Sequence, residues 1–596
     1  MDDKTRGSRE RTTAEADAIS ARRVAAGINT DQPSLGLALS GGGIRSATFC
    51  FGVLRALARN GVLRRFDYLS TVSGGGYIGA ALGRLFKPGT PVADVERGLA
   101  DEGSLLLWWL RSNGRFLIPA GALDLLQAGA GHLRGFFATQ LEVAAVLMLV
   151  SALIVLPHLT VAGTQLLGSP WWWVLALPIL GGAASMFAYW FCRNEGRWAW
   201  WADFSASAAA GAIAVFALLR CYHAETLPVP LCALALLMLT MPLGWLWRAI
   251  RNWRGVDAAQ DRLHFTSVLA AMLKCAALLL ALGTLDLLSW TLASWLKAGE
   301  PRTVGGIGIV ALLITVGRVV LPALQQRAEK LNLSRVPFAQ LGHWLGLLLL
   351  AMIVVFWLAL LQMFVFMIAP DTAAGWFGVG VETEVARWLA VFVLASLYIV
   401  LSGGNLQQLN RSSMHLFYRS RLTRTYVAVG NSASADARAP RFPASPLQPN
   451  SRELTERTIK VTQLLAGDDV ALKDYAPHLH GGPLHLINCC INQTVDDRTG
   501  TYNADRKGVA LTVSSLGVET GARGPAPASI AALGQTQLSE WVAISGAAVS
   551  SGMGSLTSAG VAALSFLSGF RLGYWWRGLS STPMWSWRWF GKYRGT

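Results

Sequence analysis

Two glycine-rich turns near the start of the chain hold residues that could carry out nucleophilic chemistry. In one of them, Ser73 follows the apolar run FDYLSTV and precedes Gly74 and Gly75. A nucleophilic serine needs exposure on a tight turn, and glycines two residues to either side let a strand and a helix approach each other. Gly75 supplies the downstream glycine, whereas Thr71 occupies the upstream position, so the motif G-x-S-x-G is incomplete. The turn is a candidate nucleophile elbow at a helix N-terminus, where the dipole favours negative charge. The alternative is an ordinary glycine-rich turn.

The second turn is LALSGGGIRS, which contains three successive glycines and an arginine. Backbone N–H groups of Gly41, Gly42 and Gly43 could stabilise an oxyanion, because no Cβ blocks the approach of a substrate. Arg45 could fix this loop or bind a phosphate. A dinucleotide-binding loop is excluded, since G-x-G-x-x-G requires glycine where Ser46 stands, and no Gly-Lys-Ser/Thr follows to make a Walker loop. A purely structural turn remains the alternative.

The elements around both turns predict an α/β domain. LGLALS and FDYLSTVS are predicted strands, and the segments 47–60 and 77–86 are predicted helices, an alternation typical of a mostly parallel sheet covered by helices. After residue 402 the apolar stretches GPLHLINCCINQT and KGVALTVSSLG again predict strands. We therefore expect residues 35–139 and 403–575 to form the two parts of one domain, interrupted by the segment between them.

That intervening segment, residues 140–402, predicts an all-α transmembrane bundle. The chain of 596 residues is 53% hydrophobic and only 14% charged, against about 25% charged residues in an ordinary globular protein. Its 24 tryptophans fit membrane interfaces, and the net charge of +16 fits anionic lipid better than nucleic acid, for which no recognition motif is present. Eight apolar runs have about the length of a spanning helix: 141–162, 171–191, 205–221, 228–247, 266–293, 304–324, 342–369 and 384–401.

The loops between these runs predict an orientation. Arginine and lysine concentrate after the second, fourth, sixth and eighth runs, which places those loops and both termini in the cytoplasm of a bacterial inner-membrane protein. Residues 1–34, polar at the start, are expected to be a disordered tail. Residues 576–596 are basic and aromatic and are predicted to be an interfacial segment.

Two ionisable residues fall inside the fifth apolar run, Lys274 and Asp286. Charged side chains in a membrane segment suggest a function. By helix rise the two are about 18 Å apart and cannot pair directly. The other interpretation is that this run comprises two shorter pieces with charges near their ends.

Taken together, the two turns resemble the patatin-like phospholipase family. GGGIRSATFCFGVLRAL followed by STVSGGGYIGAAL carries the resemblance over about residues 35–90, and WVAISGAAVSSGMG and FRLGYWW extend it to large bacterial members with a transmembrane insertion. The resemblance implies a Ser–Asp dyad with Ser73 as nucleophile. It also implies an oxyanion hole made by Gly41, Gly42 and Gly43 together with Arg45.

The dyad aspartate is not identified. The family places it in an Asp-Gly turn late in the domain, and this chain contains no Asp-Gly pair. Either the chain is truncated or split, with a partner chain supplying that part, or the site is inactive, or another carboxylate acts. Candidates for the last are Asp496, Asp497 and Asp505, whose alternative is a solvated turn. No spacing pairs a serine with the histidines His415, His478, His480 and His485.

The predicted function is that of a membrane-embedded serine acyl hydrolase that cleaves acyl esters of membrane phospholipids or other acyl lipids. No metal, organic cofactor or nucleic acid is expected. The alternatives are a catalytically inactive membrane scaffold or sensor with a patatin-like fold, and a transporter. The transporter is disfavoured because the apolar runs show no evident internal repeat.

Overall fold

The computed structural model describes most of the chain. It covers residues 3–29, 32–114, 117, 122–160, 169–192, 197–222, 229–298, 338–367, 383–402, 406–433, 439–492, 508–520, 524–525, 536–550 and 558–575. The chain divides into two compact units. We call them the sheet unit, with residues Met1–Val143, Arg327–Leu350 and Tyr398–Thr596, and the helical unit, with residues Ala144–Gln326 and Ala351–Leu397.

The helices are numbered here in chain order. They are α1 Asp3–Ala26, α2 Gly43–Arg59, α3 Gly74–Gly83, α4 Val92–Ala100, α5 Leu105–Ser112, α6 Ala122–Thr160, α7 Trp171–Val174, α8 Ala176–Trp190, α9 Arg197–Tyr222, α10 Val229–Trp253, α11 Ala258–Ala298, α12 Phe338–Gln362, α13 Thr383–Ser402, α14 Leu406–Arg411, α15 His415–Thr425, α16 Arg452–Arg457, α17 Leu538–Ser545 and α18 Ala559–Leu567. One turn of π-helix, Met363–Met367, follows α12 and is called the π-turn below.

One mixed sheet organises the sheet unit. Its strands are β1 Gly36–Leu39, β2 Tyr68–Thr71, β3 Leu484–Asn492, β4 Gly508–Ser514, β5 Gly517–Thr520 and the two-residue β6 Gly524–Pro525, and they lie side by side in that order. β2 pairs in parallel with β1 and with β3, where Tyr68 lies beside Gly36 and Leu484. Chain segments on both sides of the long apolar region therefore build one sheet.

The prediction of a mostly parallel sheet is wrong for the second half. β3, β4, β5 and β6 are antiparallel neighbours. Only two residues separate Ser514, the last of β4, from Gly517, the first of β5. Such a short connection can join antiparallel strands only, because a parallel pair needs a crossover of a dozen or more residues. The sequence pattern of an apolar strand does not report its direction.

The predicted disordered tail is also corrected, since α1 occupies most of it. Its final turns are rich in alanine and arginine, which are good helix formers. Arg22 and Arg23 are buried and form ion pairs with the buried Asp67, at 2.6 Å and 2.8 Å between guanidinium nitrogen and carboxylate oxygen. Two of the charged side chains that suggested a disordered tail are thus paired with a carboxylate that lies far along the chain, directly before β2.

Long apolar helices form the helical unit. Seven helices in the described residues have the length and apolar character to cross a membrane. They fall within α6, the pair α7–α8, α9, α10, α11, α12 with the π-turn, and α13. The sixth predicted run, 304–324, lies outside the described residues. The fifth run is one helix of 41 residues rather than two shorter pieces. Membrane association is thus suggested for the chain.

Candidate active site

Ser73 is held in an unusual backbone conformation between β2 and α3. Its φ is 51° and ψ is −118°, and it is the only non-glycine residue in the described part of the chain with a positive φ. Such a conformation costs about 1–3 kcal/mol and persists where the surrounding structure enforces it. The side chain is half-buried at the N-terminus of α3 and does not cap that helix. This is the geometry of a nucleophile elbow.

The Gly41–Gly43 loop, between β1 and α2, lies directly beside Ser73. A Cβ built on Gly41 would lie 3.1 Å from the Cβ of Ser73. Gly42 and Gly43 have φ values of 146° and 62°, which L side chains rarely adopt. Gly42 precedes α2 without any side-chain cap, so the first backbone N–H groups of α2 have no side-chain acceptor there. The structure therefore brings together the two turns singled out in the sequence.

Gly74 and Gly75 allow this approach. A Cβ on Gly74 would lie 2.0 Å from the main-chain oxygen of Gly43, and one on Gly75 would lie 2.4 Å from that of Leu39. Neither position has room for a methyl group, because the neighbours are backbone atoms that cannot rotate away. The N-termini of α2 and α3 thus converge near Ser73, and each contributes positive potential there.

Thr71 replaces the upstream glycine of the elbow motif, and α3 provides the space for it. The Cγ2 atom of Thr71 lies 2.7 Å from the position of a Cβ on Gly79. The Thr71 hydroxyl bonds Nε2 of His485 at 2.8 Å, and Nδ1 of His485 bonds the phenol of Tyr475 at 2.8 Å. A glycine within the helix thus compensates for the threonine in the strand.

Distant residues hold the elbow from beneath. The backbone N–H of Ser73 donates to Oγ of Ser545, which donates to the main-chain oxygen of Asn488 at 2.6 Å. Nδ2 of Asn488 donates to Oγ of Ser70 at 2.9 Å, and Thr512 donates to Oδ1 of Asn488 at 2.8 Å. Our sequence reasoning did not single out Asn488 or Ser545. A signal was available, since Ser545 lies within the quoted segment WVAISGAAVSSGMG.

Two buried tyrosines lie behind Ser73. The hydroxyl of Ser73 hydrogen bonds the phenol of Tyr77, and Tyr77 in turn bonds Tyr418. Tyr418 donates to the main-chain oxygen of Gly546 at 3.1 Å. Burial raises the pKa of Tyr77, so the phenol is neutral at physiological pH and is unsuited to take a proton from Ser73.

The four candidate histidines lie in separate surroundings. Burial lowers the pKa of His485 to about 3 and that of His415 to about 4, so both are neutral. Nδ1 of His415 bonds the main-chain oxygen of Leu572 at 2.9 Å. The pKa values of His478 and His480 are also lowered by burial. In the described part of the chain none of the four hydrogen bonds Ser73.

The remaining candidate site residues are one arginine, which is exposed, and three aspartates. Arg45 is exposed on the first turn of α2, and within the described residues it makes no ion pair. Asp496, Asp497 and Asp505 lie outside the described residues. The described part of the site thus contains a serine in a strained conformation, a glycine loop and an arginine without an ion pair. None of its described residues is assigned as the base.

Comparison with known proteins gives one match, and it lies in the first part of the chain. A search of curated proteins and a search of solved structures each returned no match. A family model does match, over a segment that includes both glycine-rich turns. Residues 37–152 match the patatin-like phospholipase family, which confirms the resemblance inferred from the two turns.

Proposed function

We propose that the chain is a serine hydrolase of acyl lipids with Ser73 as its nucleophile. The family matched by residues 37–152 suggests lipid acyl hydrolysis in general. The observation that carries the assignment to Ser73 is its positive φ beside the Gly41–Gly43 loop. Backbone strain of this kind is found at functional sites, where the surrounding structure pays its cost.

In the proposed reaction, Oγ of Ser73 attacks the carbonyl carbon of an acyl ester. The carbonyl oxygen becomes an oxyanion, which backbone N–H groups of Gly41–Gly43 stabilise in a preorganised site. The alcohol part of the lipid leaves with a proton, and water then attacks the acyl-serine and releases the fatty acid. The N-termini of α2 and α3 favour the developing negative charge. In this proposal Arg45, on the first turn of α2, binds a phosphate of the lipid headgroup.

This chemistry requires a base that removes the proton of Ser73. The resemblance to the family implies an aspartate. We propose that it comes from Asp496, Asp497 or Asp505, or from a partner chain that supplies a later Asp-Gly turn. Tyr77 holds the hydroxyl of Ser73 through a hydrogen bond in the resting site, and its raised pKa makes it a positioning group rather than the base.

The apolar helices give this proposal its setting. We propose that they anchor the chain in a bacterial inner membrane, with both termini in the cytoplasm. Support comes from the seven helices with the length and composition for it and from the distribution of arginine among the loops. An anchored hydrolase would meet phospholipid substrates in the same bilayer.

A fluorophosphonate probe, which reacts with activated serines, tests the assignment of the nucleophile. The purified wild-type protein, Ser73→Ala and the control Ser205→Ala are labelled side by side. Ser205 is exposed on α9 and donates to its own helix, so its loss should change nothing. We expect labelling of wild type and Ser205→Ala, and none of Ser73→Ala. Retained labelling of Ser73→Ala would overturn the assignment.

A second function, a catalytically inactive lipid-binding scaffold or sensor, is favoured by one observation. Among the described residues, no carboxylate hydrogen bonds Ser73, and its hydroxyl is engaged by Tyr77. An inactive site would leave wild type unlabelled while the protein still bound phospholipid vesicles. If wild type is labelled, mutation of Asp496, Asp497 and Asp505 to asparagine identifies the base.

A further inference from the structure

The helical unit contains a fully buried carboxylate that the proposed hydrolase does not use. Asp286, on α11, accepts hydrogen bonds from Oγ of Ser169 at 2.6 Å and from Nε2 of Gln362 at 2.8 Å. Nε2 of His158 lies 2.9 Å and 3.1 Å from its two carboxylate oxygens. Asp286, Ser169 and Gln362 are all inaccessible to solvent. We call these four residues the Asp286 centre.

A second buried carboxylate on the same helix differs from Asp286 in the charge of its hydrogen-bond partners. Asp261, near the start of α11, is fully buried and is held by Arg248 and Arg251, each at 2.5 Å. Guanidinium groups stay protonated at all ordinary pH values, so Asp261 is permanently neutralised by permanent cations. The partners of Asp286 are a hydroxyl, an amide and an imidazole. Of these, only the imidazole can carry a charge, and only after it takes up a proton.

An unpaired carboxylate in an apolar interior is costly, so the Asp286 centre is most stable when it holds one proton. The apolar shell is present: Ile154, Leu358, Leu361 and Val365 are buried around this part of the helical unit. One proton shared by His158 and Asp286 makes the pair neutral overall. Loss of that proton would leave a buried negative charge.

Aromatic rings flank the imidazole of His158. Its ring stacks on Trp290, with centroids 5.3 Å apart and planes only 9° from parallel. Phe366 of the π-turn lies 6.1 Å from the same imidazole. The faces of aromatic rings attract cations, and tryptophan does so most strongly. The imidazole of His158 therefore lies between the carboxylate and these two rings.

Gln362 links the centre to an irregular piece of backbone. It is the last residue of α12, directly before the π-turn, and its Oε1 has no hydrogen-bond donor among the residues that the structure describes. A buried acceptor without a partner points to a further donor that the site receives. From the neighbouring α13, Arg387 donates to the main-chain oxygens of Phe364 and Val365. Lys274, on α11, is exposed to the outside of the unit.

We propose that the Asp286 centre is a proton-binding site, in which His158 and Asp286 hold one exchangeable proton whose occupancy is transmitted to the π-turn through Gln362. A sodium site is less consistent with the geometry, because Gln362 presents its N–H, and not its carbonyl oxygen, to the carboxylate. Polar groups inside apolar helical bundles often serve as proton relays. This proposal is independent of the proposed hydrolase activity.

The fluorescence of Trp290 provides a direct test, because a protonated imidazole stacked on an indole quenches it. Wild type and Trp290→Phe are titrated in lipid nanodiscs from pH 5 to pH 9, and the difference isolates Trp290 from the other tryptophans. We expect a one-proton transition. His158→Gln should abolish it, and Asp286→Asn should displace it, because the imidazole loses the carboxylate that faces it. Lys274→Gln, on the same helix, should leave it unchanged.

Ser169→Ala keeps the proposal testable if Asp286→Asn does not fold. This variant retains the carboxylate and removes one of its donors, so the pair should hold its proton to higher pH. The proposal is overturned if wild type shows no transition assigned to Trp290, or if both Asp286→Asn and Ser169→Ala titrate like wild type. It is also overturned if replacing sodium by choline, at constant pH, removes the signal.

Discussion

The Ser73 turn and the Asp286 centre hold a polar group in place by opposite means. At Ser73 a half-buried polar group is held by backbone: a positive φ, adjacent glycines and two helix N-termini. At Asp286 a fully buried carboxylate is held by side chains from two other helices and from the residue Ser169 before α7. The first site depends on the absence of side chains and the second on their presence. The first site should therefore be most sensitive to an added methyl group, and the second to the loss of a carboxylate or of one of its donors.

The largest expected effect comes from adding one methyl group beside Ser73. In Gly74→Ala the new Cβ would meet the main-chain oxygen of Gly43 at 2.0 Å, so the glycine loop must move away from Ser73. A displacement of about 1 Å costs on the order of 100-fold in rate, and labelling by the fluorophosphonate probe should fall at least that far. Gly52→Ala, on α2 with open space around it, is the control and should label normally. Normal labelling of Gly74→Ala would mean that the loop does not serve Ser73.

The next effect separates the two buried carboxylates of α11. Asp261→Asn leaves the buried Arg248 and the half-buried Arg251 without a counter-charge, and breaking a buried pair costs about 3–5 kcal/mol of stability. Asp286→Asn leaves only groups that can be neutral, and it should cost less. Thermal unfolding of both variants in nanodiscs compares them. Equal losses would contradict the distinction between permanently and reversibly neutralised carboxylates.

A third effect concerns pH and the residue under the elbow. Burial lowers the pKa of His485 to about 3, whereas an unfolded histidine titrates near 6.5. Below pH 6.5 the unfolded state therefore binds a proton at His485 that the folded state does not bind. The free energy of unfolding falls as the pH is lowered towards 3. At roughly 1.4 kcal/mol per pH unit, about 3 kcal/mol is lost by pH 4.5. His485→Gln should make the unfolding temperature less sensitive to acid, and an unchanged slope would contradict this account.

The smallest effect concerns the support of the elbow. Ser545→Ala removes the acceptor of the Ser73 N–H, which should cost about 1 kcal/mol of stability. We expect probe labelling to slow by about tenfold because Ser73 is less firmly held in its strained conformation. Ser205→Ala serves again as the matched control. Unchanged labelling of Ser545→Ala would show that the glycines alone maintain the turn.

Local signals accounted for what the sequence could predict. The segments around Ser73 and Gly41–Gly43 each span a few residues, and their glycines predicted two tight turns. The structure places these two turns side by side. Four predicted strands, LGLALS, FDYLSTVS, GPLHLINCCINQT and KGVALTVSSLG, correspond to β1, β2, β3 and β4. The roles of Ser73, Gly74, Gly75 and Arg45 in catalysis stay predictions.

Contacts between distant residues were beyond reach. Ser545 lies 472 positions from Ser73, and no periodicity reports such a pairing. The polar composition near the N-terminus gave no sign that Arg22 and Arg23 would meet Asp67. For Asp286, the sequence raised a possible function and excluded direct pairing with Lys274, but it gave no sign of the actual partners. His158 and Gln362 lie on other helices, and Ser169 precedes α7. Strand direction in β4 and β5 depended on a short turn that apolar patterning does not reveal.

The pairing of β2 with β3 has a consequence for biosynthesis. These neighbours in the sheet are separated by about 400 residues of chain, which a ribosome adding about 5–20 residues per second needs roughly 20–80 s to make. During that interval β2 has emerged with an open edge, and an open edge invites pairing with another nascent chain. β3 can pair with β2 only after the long apolar segment between them has been synthesised. Until β3 has been synthesised, the edge of β2 is therefore a site at which nascent chains can aggregate.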